Sequence, residues 1–301
     1  MMREIFHRED GNALVLITLC FSVMMMAFGL VIDGGHLYMQ KSHLEKTVNA
    51  AALSGAQEIP NSQAKVDQVV SEVLSAHGES ASLLSSAVEN GRQLRVGLEK
   101  DVPLFFASLF GIDTVTIQAD AKAGLNPVSA ATGVVPLGMD ESVELVYGQT
   151  YTLKVDAGDS ASGNFGVLAL DGPGAKTYGE TLTHGFDEEI RVGDIINTQT
   201  GNIAGATRTG INSRIDSCPS VDYEARNCPR VMMVLVYKPY TQTTNQLTSV
   251  QITGFAYFYV TDRMSSTDDS IKGIFIKRAG AGSSGTAATP DRGAYAIKLT
   301  Q

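Results

Sequence analysis

From Ala13 to Ile32 the chain reads A-L-V-L-I-T-L-C-F-S-V-M-M-M-A-F-G-L-V-I, twenty residues without a charge. At about 1.5 Å of rise per residue, an α-helix of this length matches the roughly 30 Å apolar thickness of a bilayer. A core helix of a water-soluble domain would carry a polar stripe. Here only Thr18 and Ser22 offer polar groups, and both can bond back to their own helix. The stretch is predicted to be a transmembrane helix. A cleaved leader is the competing reading, because Arg3 and Arg8 give a basic start and Ala27 and Gly29 form a small-x-small pair. Leu30, Val31 and Ile32 continue the apolar run past that pair and favour a retained, single-pass span.

Basic residues do not orient the span, since Arg3 and Arg8 precede it and Lys41 and Lys46 follow it. Bulk does: nearly the whole chain lies after the span, and a long region can be translocated largely regardless of its charge. The expectation is a short inner N-terminus over 1–12, a transmembrane helix over 13–32 and an extracytoplasmic body at the cell membrane. Cysteine usage agrees. Cys20 falls inside the span, and Cys218 and Cys228 stand ten residues apart, each followed by proline. A disulfide closing that loop would contribute about 3 kcal/mol in the chain-entropy model and would persist only in an oxidising compartment.

Beyond the span, Asp33-Gly34-Gly35 is expected to loosen the helix. Leu37, Tyr38, Leu44, Val48, Ala51, Ala52, Leu53 and Ala56 then resume a helical period up to Pro60. Ala51, Ala52, Gly55 and Ala56 form a small-residue face that lets a neighbouring helix approach closely, and it is the most testable partner contact. A second helix is predicted over 63–76, with Val66, Val69, Val70, Val73 and Leu74 on one face and His77-Gly78 as its stop. From Gln93 the period becomes two, through Leu94, Val96 and Leu98, and again at Val115, Ile117, Ala119 and Ala121. Between these strands, P-L-F-F-A-S-L-F (103–110) reads as a short helix that lays its phenylalanines on the sheet. The helices over 37–77 are expected to pack there too.

N-P-V-S-A-A-T-G (126–133) has the composition of a linker, separating a helical and α+β region (33–125) from a β-rich domain (134–301). In the latter, strands are predicted around Tyr151–Val155, Val231–Tyr237, Val250–Val260, Ile271–Ile276 and Ala294–Leu299. The fold class is α+β: an N-terminal transmembrane helix, a helical and α+β region, then a sandwich or barrel-like β ectodomain.

A formal net charge of −9, from 32 acidic and 23 basic residues, argues against nucleic acid as a partner, because binding phosphates needs clustered Lys and Arg. No G-x-S-x-G, H-E-x-x-H or P-loop motif occurs, and Gly172–Thr177 (G-P-G-A-K-T) lacks the P-loop glycine spacing. His184 with Asp187, Glu188 and Glu189 could be drawn as an acid/base group, and Asp156, Asp159 and Asn164 as calcium ligands. The first is better read as a solvated turn, and the second fits no standard calcium loop. No cofactor or metal is called for.

E-D-G-N-A-L-V-L (9–16), G-L-V-I-D-G-G-H-L-Y (29–38) and L-E-K-T-V-N-A-A-A-L-S-G-A (44–56) resemble, in order and spacing, the TadE/TadG-like proteins of Flp-type (tight adherence) pilus systems. The segment V-P-L-F-F-A-S-L-F-G-I-D-T-V-T-I-Q-A-D-A-K-A extends the resemblance to about Gly124. Prepilins processed by the dedicated peptidase carry Glu at the fifth position after a cleaved glycine. Counted from Gly11 that position is Leu16, which points to an uncleaved assembly component. The family's recurrent aspartate after the span corresponds to Asp33, expected as a polar anchor or partner contact at the outer interface, or simply as the first water-exposed residue. The resemblance implies a non-enzymatic role through contacts with pilus or secretion-machinery proteins, alone or as a homo- or hetero-oligomer. A membrane-anchored binding module for cell-wall or surface ligands, or an unrecognised surface hydrolase, are the alternatives.

Overall fold

The computed structural model describes residues 10–154, 165–199, 203–219, 222–225, 227–243, 247–267, 270–285 and 289–300. It is α+β. One helix, α1 (Asp10–Ala56), runs for 47 residues, about 70 Å at the usual rise. The expected loosening at Asp33-Gly34-Gly35 does not occur. Two glycines cost only about 2 kcal/mol in a helix interior, too little to interrupt a cooperative helix secured on both sides. The two halves of α1 meet different surroundings. Between Leu14 and Ile32 the large apolar residues are 47% (Met25) to 73% (Leu30) exposed, whereas Leu44, Val48, Ala51, Ala52 and Ala56 are fully buried.

The second helix, α2 (Gln63–Ala76), begins at Ser62, whose side chain accepts a hydrogen bond from the Lys65 amide at 3.3 Å. Its buried stripe of Val66, Val70 and Leu74 packs on α1. Both helices cover one face of an antiparallel meander, β1 (Leu83–Glu89), β2 (Gln93–Pro103) and β3 (Thr114–Pro127). Leu94, Val96 and Leu98 of β2 and Ala119, Ala121 and Ala123 of β3 complete the core. The small β3 residues suit a helix lying close to the sheet. Strand β1 has no clear period in sequence, because its L-L-S-S-A-V-E is largely exposed or half-buried.

The chain continues through β4 (Ala130–Ala131), β5 (Val134–Asp140), β6 (Thr150–Lys154), β7 (Phe165–Val167), α3 (Ala175–His184), β8 (Ile190–Arg191), β9 (Ile195–Asn197) and α4 (Ala204–Ser217). It ends with β10 (Val231–Gln242), β11 (Leu247–Val260), β12 (Ser270–Ile276), β13 (Arg278–Ala279) and β14 (Ala294–Thr300). Residues 126–133, expected as a linker, are threaded into the body. They finish β3 and supply β4, Val128 is 1% exposed, and its amide donates to the Ala294 carbonyl at 3.0 Å. Small residues that look like linker in sequence here allow close packing.

A half-barrel sheet in the order β6-β12-β11-β10-β5-β7, with β9 also on β11, forms the second layer system. It is antiparallel except where β5 runs parallel to β10. Both faces are covered. Phe255, Tyr257, Tyr259, Leu235 and Tyr237 face one core. Ala256, Phe258, Val260, Val234 and Val236 face the other, with Tyr178 and Leu182 of α3 and Ile211 of α4. The period of two that a strand from Val250 to Val260 implies is split, because the β10–β11 register shifts between Val236↔Gly254 and Tyr237↔Ile252. One extra residue at Thr253 reverses the pleat, so Val250 and Ile252 join the face of Phe255 and Tyr257.

Strand β14 leaves this second sheet's region and pairs antiparallel with β3, Tyr295↔Pro127 through Thr300↔Lys122. The first sheet is therefore β1-β2-β3-β14-β13, built from both ends of the described body. Arg92 at the β1–β2 turn reinforces the join through Asp291 at 2.7 Å, which also accepts from the Tyr295 hydroxyl at 3.1 Å.

Candidate functional site

The site that departs most from ordinary burial lies where the apolar half of α1 meets the body. Strand β2 stops at Pro103 and β3 resumes at Thr114; the Leu104 amide donates to the Asp113 carbonyl at 2.9 Å and closes the neck of the loop between them. Within that loop Ala107–Phe110 make one 3-10 turn, ended by Gly111 in the left-handed region (φ 84°). The Phe-rich segment was expected to lie on the sheet as a helix. It instead turns away from the sheet and rests on α1. Phe105, Leu109, Phe110 and Ile112 are 59%, 78%, 68% and 53% exposed. The sheet face it would have covered is already filled by α1 and α2.

Asp33 fastens the loop to the helix. Its carboxylate accepts hydrogen bonds from the backbone amides of Phe105 (2.8 Å), Phe106 (3.0 Å) and Ala107 (2.8 Å). Burial pushes this carboxyl up, but the three amide donors and nearby His36 outweigh it and hold it below the usual carboxylate range. Asp33 is only 5% exposed, so it is neither the first water-exposed residue nor a free polar anchor: its partners belong to the same chain. One turn earlier, Gly29 is buried within the otherwise exposed run. A Cβ there would lie 2.8 Å from the Cβ of Phe106, so the absence of a side chain lets the Phe106 ring lie on the helix. Phe105 meets the His36 ring edge-on at 5.2 Å between centroids.

The small-residue face is also occupied from within. Ala51, Ala52 and Ala56 are fully buried, and a Cβ on Gly55 would meet Leu94 at 2.6 Å and Val70 at 2.7 Å. The close neighbours are α2 and β2 of the same chain, so this face is not open to a partner. Beside it, buried Glu79 gathers Lys100 (2.5 Å), the Ser82 hydroxyl (2.6 Å) and His43 (3.6 Å). Burial would raise its carboxyl, and these partners hold it below its ordinary value. His77 ends α2, and its carbonyl lies 3.3 Å from His43 Nε2.

Cys218 and Cys228 form a disulfide with a Cα–Cα distance of 5.5 Å. It ties the C-terminal end of α4 to the residues before β10. Arg214 on α4 braces the same joint, donating to the carbonyls of Leu182 (2.6 Å) and Pro229 (2.7 Å). Burial pushes its guanidinium down to about 10.

His184, Asp187, Glu188 and Glu189 are exposed around the end of α3, and Glu189 is paired with Arg191 at 2.6 Å. The sequence G-P-G-A-K-T opens α3 rather than a phosphate cradle. Among the described residues no group of three or more His, Cys, Asp or Glu could hold a metal ion. Asp156, Asp159 and Asn164, like Arg3 and Arg8, lie outside the described residues. The exposed tip at 105–112 was missed in sequence, although its flanking charges, Asp101 and Asp113, with none between, were a signal for an apolar loop.

No curated protein and no solved structure matches this chain. The expected continuation of the resemblance to Gly124 falls beyond the segment that a family model matches. That segment is residues 11–58, α1 and the turn after it, and the family is described as putative Flp pilus-assembly, TadE/G-like.

Proposed function

We propose that the protein is a single-pass, membrane-anchored component of Flp-type pilus assembly that acts by contacts with pilus or secretion-machinery proteins. The observation that carries this reading is α1 itself. Its family-matched residues contain twenty uncharged positions, all but Gly29 exposed to their surroundings, which continue without a break into the core of the body. Among the described residues, α1 is the helix long and apolar enough to cross a membrane. Retention of the span is supported by the packing of Phe106 on Gly29 and of the 105–107 amides on Asp33, which holds residues on both sides of the Gly29–Leu30 bond to the body. An extracytoplasmic body is supported by the Cys218–Cys228 disulfide, which needs an oxidising compartment.

Deleting the protein should abolish or reduce piliation and surface adherence. The intact chain should stay with membranes through carbonate washing, and added protease should reach the body from outside. Normal piliation in the deletion strain would reject the assembly role. A mature N-terminus at Leu30 would reject the retained span, and one at Asn12 would show prepilin-type processing instead.

A further inference from the structure

We infer that the 104–112 loop is a second membrane contact, inserting Phe105, Leu109, Phe110 and Ile112 into the apolar boundary of the leaflet next to the body. The inference rests on the proposed membrane-spanning reading of α1.

Depth is set by the helix. If the uncharged run 13–32 fills the hydrocarbon layer, its end is marked by Asp33, the first charge after it. Phe106 packs at Gly29, four residues before Asp33 and so about 6 Å inside that boundary. The loop therefore joins α1 at membrane depth. Around the point where Phe106 meets α1, Phe28, Leu30, Val31 and Ile32 are exposed as the loop tip is.

Composition fits an apolar medium. From Val102 to Ile112 there is no charge, and the nearest ones, Asp101 and Asp113, sit at the neck where β2 and β3 enter the body. The two polar burdens of inserting such a loop are met. Asp33 receives three backbone amides, and the amides of Gly111 and Ile112 donate to the carbonyls of Ser108 (3.0 Å) and Ala107 (3.2 Å). The Ser108 hydroxyl also donates to the Phe105 carbonyl at 2.8 Å. In water the same four large side chains would be an unfavourable patch at the end of a polar-edged hairpin. In the lipid boundary they act as an interfacial anchor beside the spanning helix. A helix alone leaves the body free to rotate about the membrane normal and to tilt; a second contact to one side fixes its inclination.

The chain contains no tryptophan, so single-tryptophan variants report one position each. The full chain would be reconstituted in phosphatidylcholine–phosphatidylglycerol vesicles with or without brominated acyl chains. F110W tests the loop, F21W the span, and Y240W the water-facing end of β10. The expected result is that F110W and F21W both emit at short wavelength and lose most of their emission to brominated lipid, while Y240W is quenched only by aqueous iodide. If F21W is quenched by lipid but F110W behaves like Y240W, the loop inference is overturned and the anchoring reading stands. Shielding of F110W from both quenchers would mean that protein covers the tip, and would also overturn it. Failure of F21W to meet lipid would overturn the anchoring reading and the inference with it. L109W provides the same readout should F110W fold poorly.

Discussion

The segments G-F-A-Y-F-Y-V (254–260) and L-F-F-A-S-L-F (104–110) are similarly apolar, yet they meet opposite fates. The first is the centre of β11, flanked by β10 and β12, with cores on both faces, and its residues are buried throughout. In the second, Leu104 is buried while Phe105, Leu109 and Phe110 stand exposed beside α1. The difference lies in what remains to cover them. Strand β11 has neighbours on each side and α3 and α4 above, whereas the first sheet's core is filled before the loop can reach it. Apolar content therefore marks avoidance of water, and topology decides whether protein or another apolar medium supplies the shelter.

The largest expected effect is on the buried member. Phe258→Ala, which removes a fully buried ring packed edge-on against Phe275 at 5.0 Å, should cost about 4 kcal/mol in denaturant unfolding. A loss below 1 kcal/mol would mean that this core is not packed as described. Removing the disulfide by replacing Cys218 and Cys228 with Ala should cost about 3 kcal/mol. Its effect should appear in hydrogen exchange at the start of β10 while leaving the exposed loop unchanged, which separates the two regions.

The loop responds to a different lever. Asp33→Ala should speed exchange of the Phe105, Phe106 and Ala107 amides by about tenfold, the loss of roughly one net charge-assisted hydrogen bond. Acid should imitate it. Because the folded carboxyl titrates below its ordinary 3.8, its contribution is complete above that pH and disappears as the pH falls through the lower folded value. Loop protection that does not weaken when acid protonates this carboxyl would contradict the fastening. The smallest effect is the sharpest contrast: Leu109→Ser, at a side chain 78% exposed, should change stability in detergent by no more than about 0.5 kcal/mol. A loss comparable with Phe258→Ala would show that the two segments are not opposites at all.

What could be read in the sequence followed from local period and local chemistry. The uncharged run, the helix over 63–76 with its His77-Gly78 stop, the paired cysteines and the strands at 231–237, 271–276 and 294–299 each declare themselves locally. Most of the misses depended on distant partners. Helix α4, A-G-A-T-R-T-G-I-N-S-R-I-D-S, is poor in helix formers. It is held by tertiary contact, with Gly210 close enough that a Cβ would sit 3.1 Å from Leu182. The reversal at Thr253 depends on β10, and the burial of Val128 depends on Ala294. At the junction of α1 with the 104–112 loop, Asp33 was legible as a distinctive residue. Its partners, more than seventy positions away at Phe105–Ala107, were not.

The pairing of β14 with β3 also has a meaning in time. During synthesis α1, α2, β1, β2 and β3 become available long before residues 294–300 exist. Until then β3 presents an open strand edge, the kind of surface that pairs with whatever strand it meets. Folding of the first sheet therefore cannot finish in chain order. It waits for a strand that has to be made, and in the proposed topology translocated, after the whole second sheet. A chain truncated before Ala294 keeps every residue of the family-matched helix and still leaves that edge unsealed.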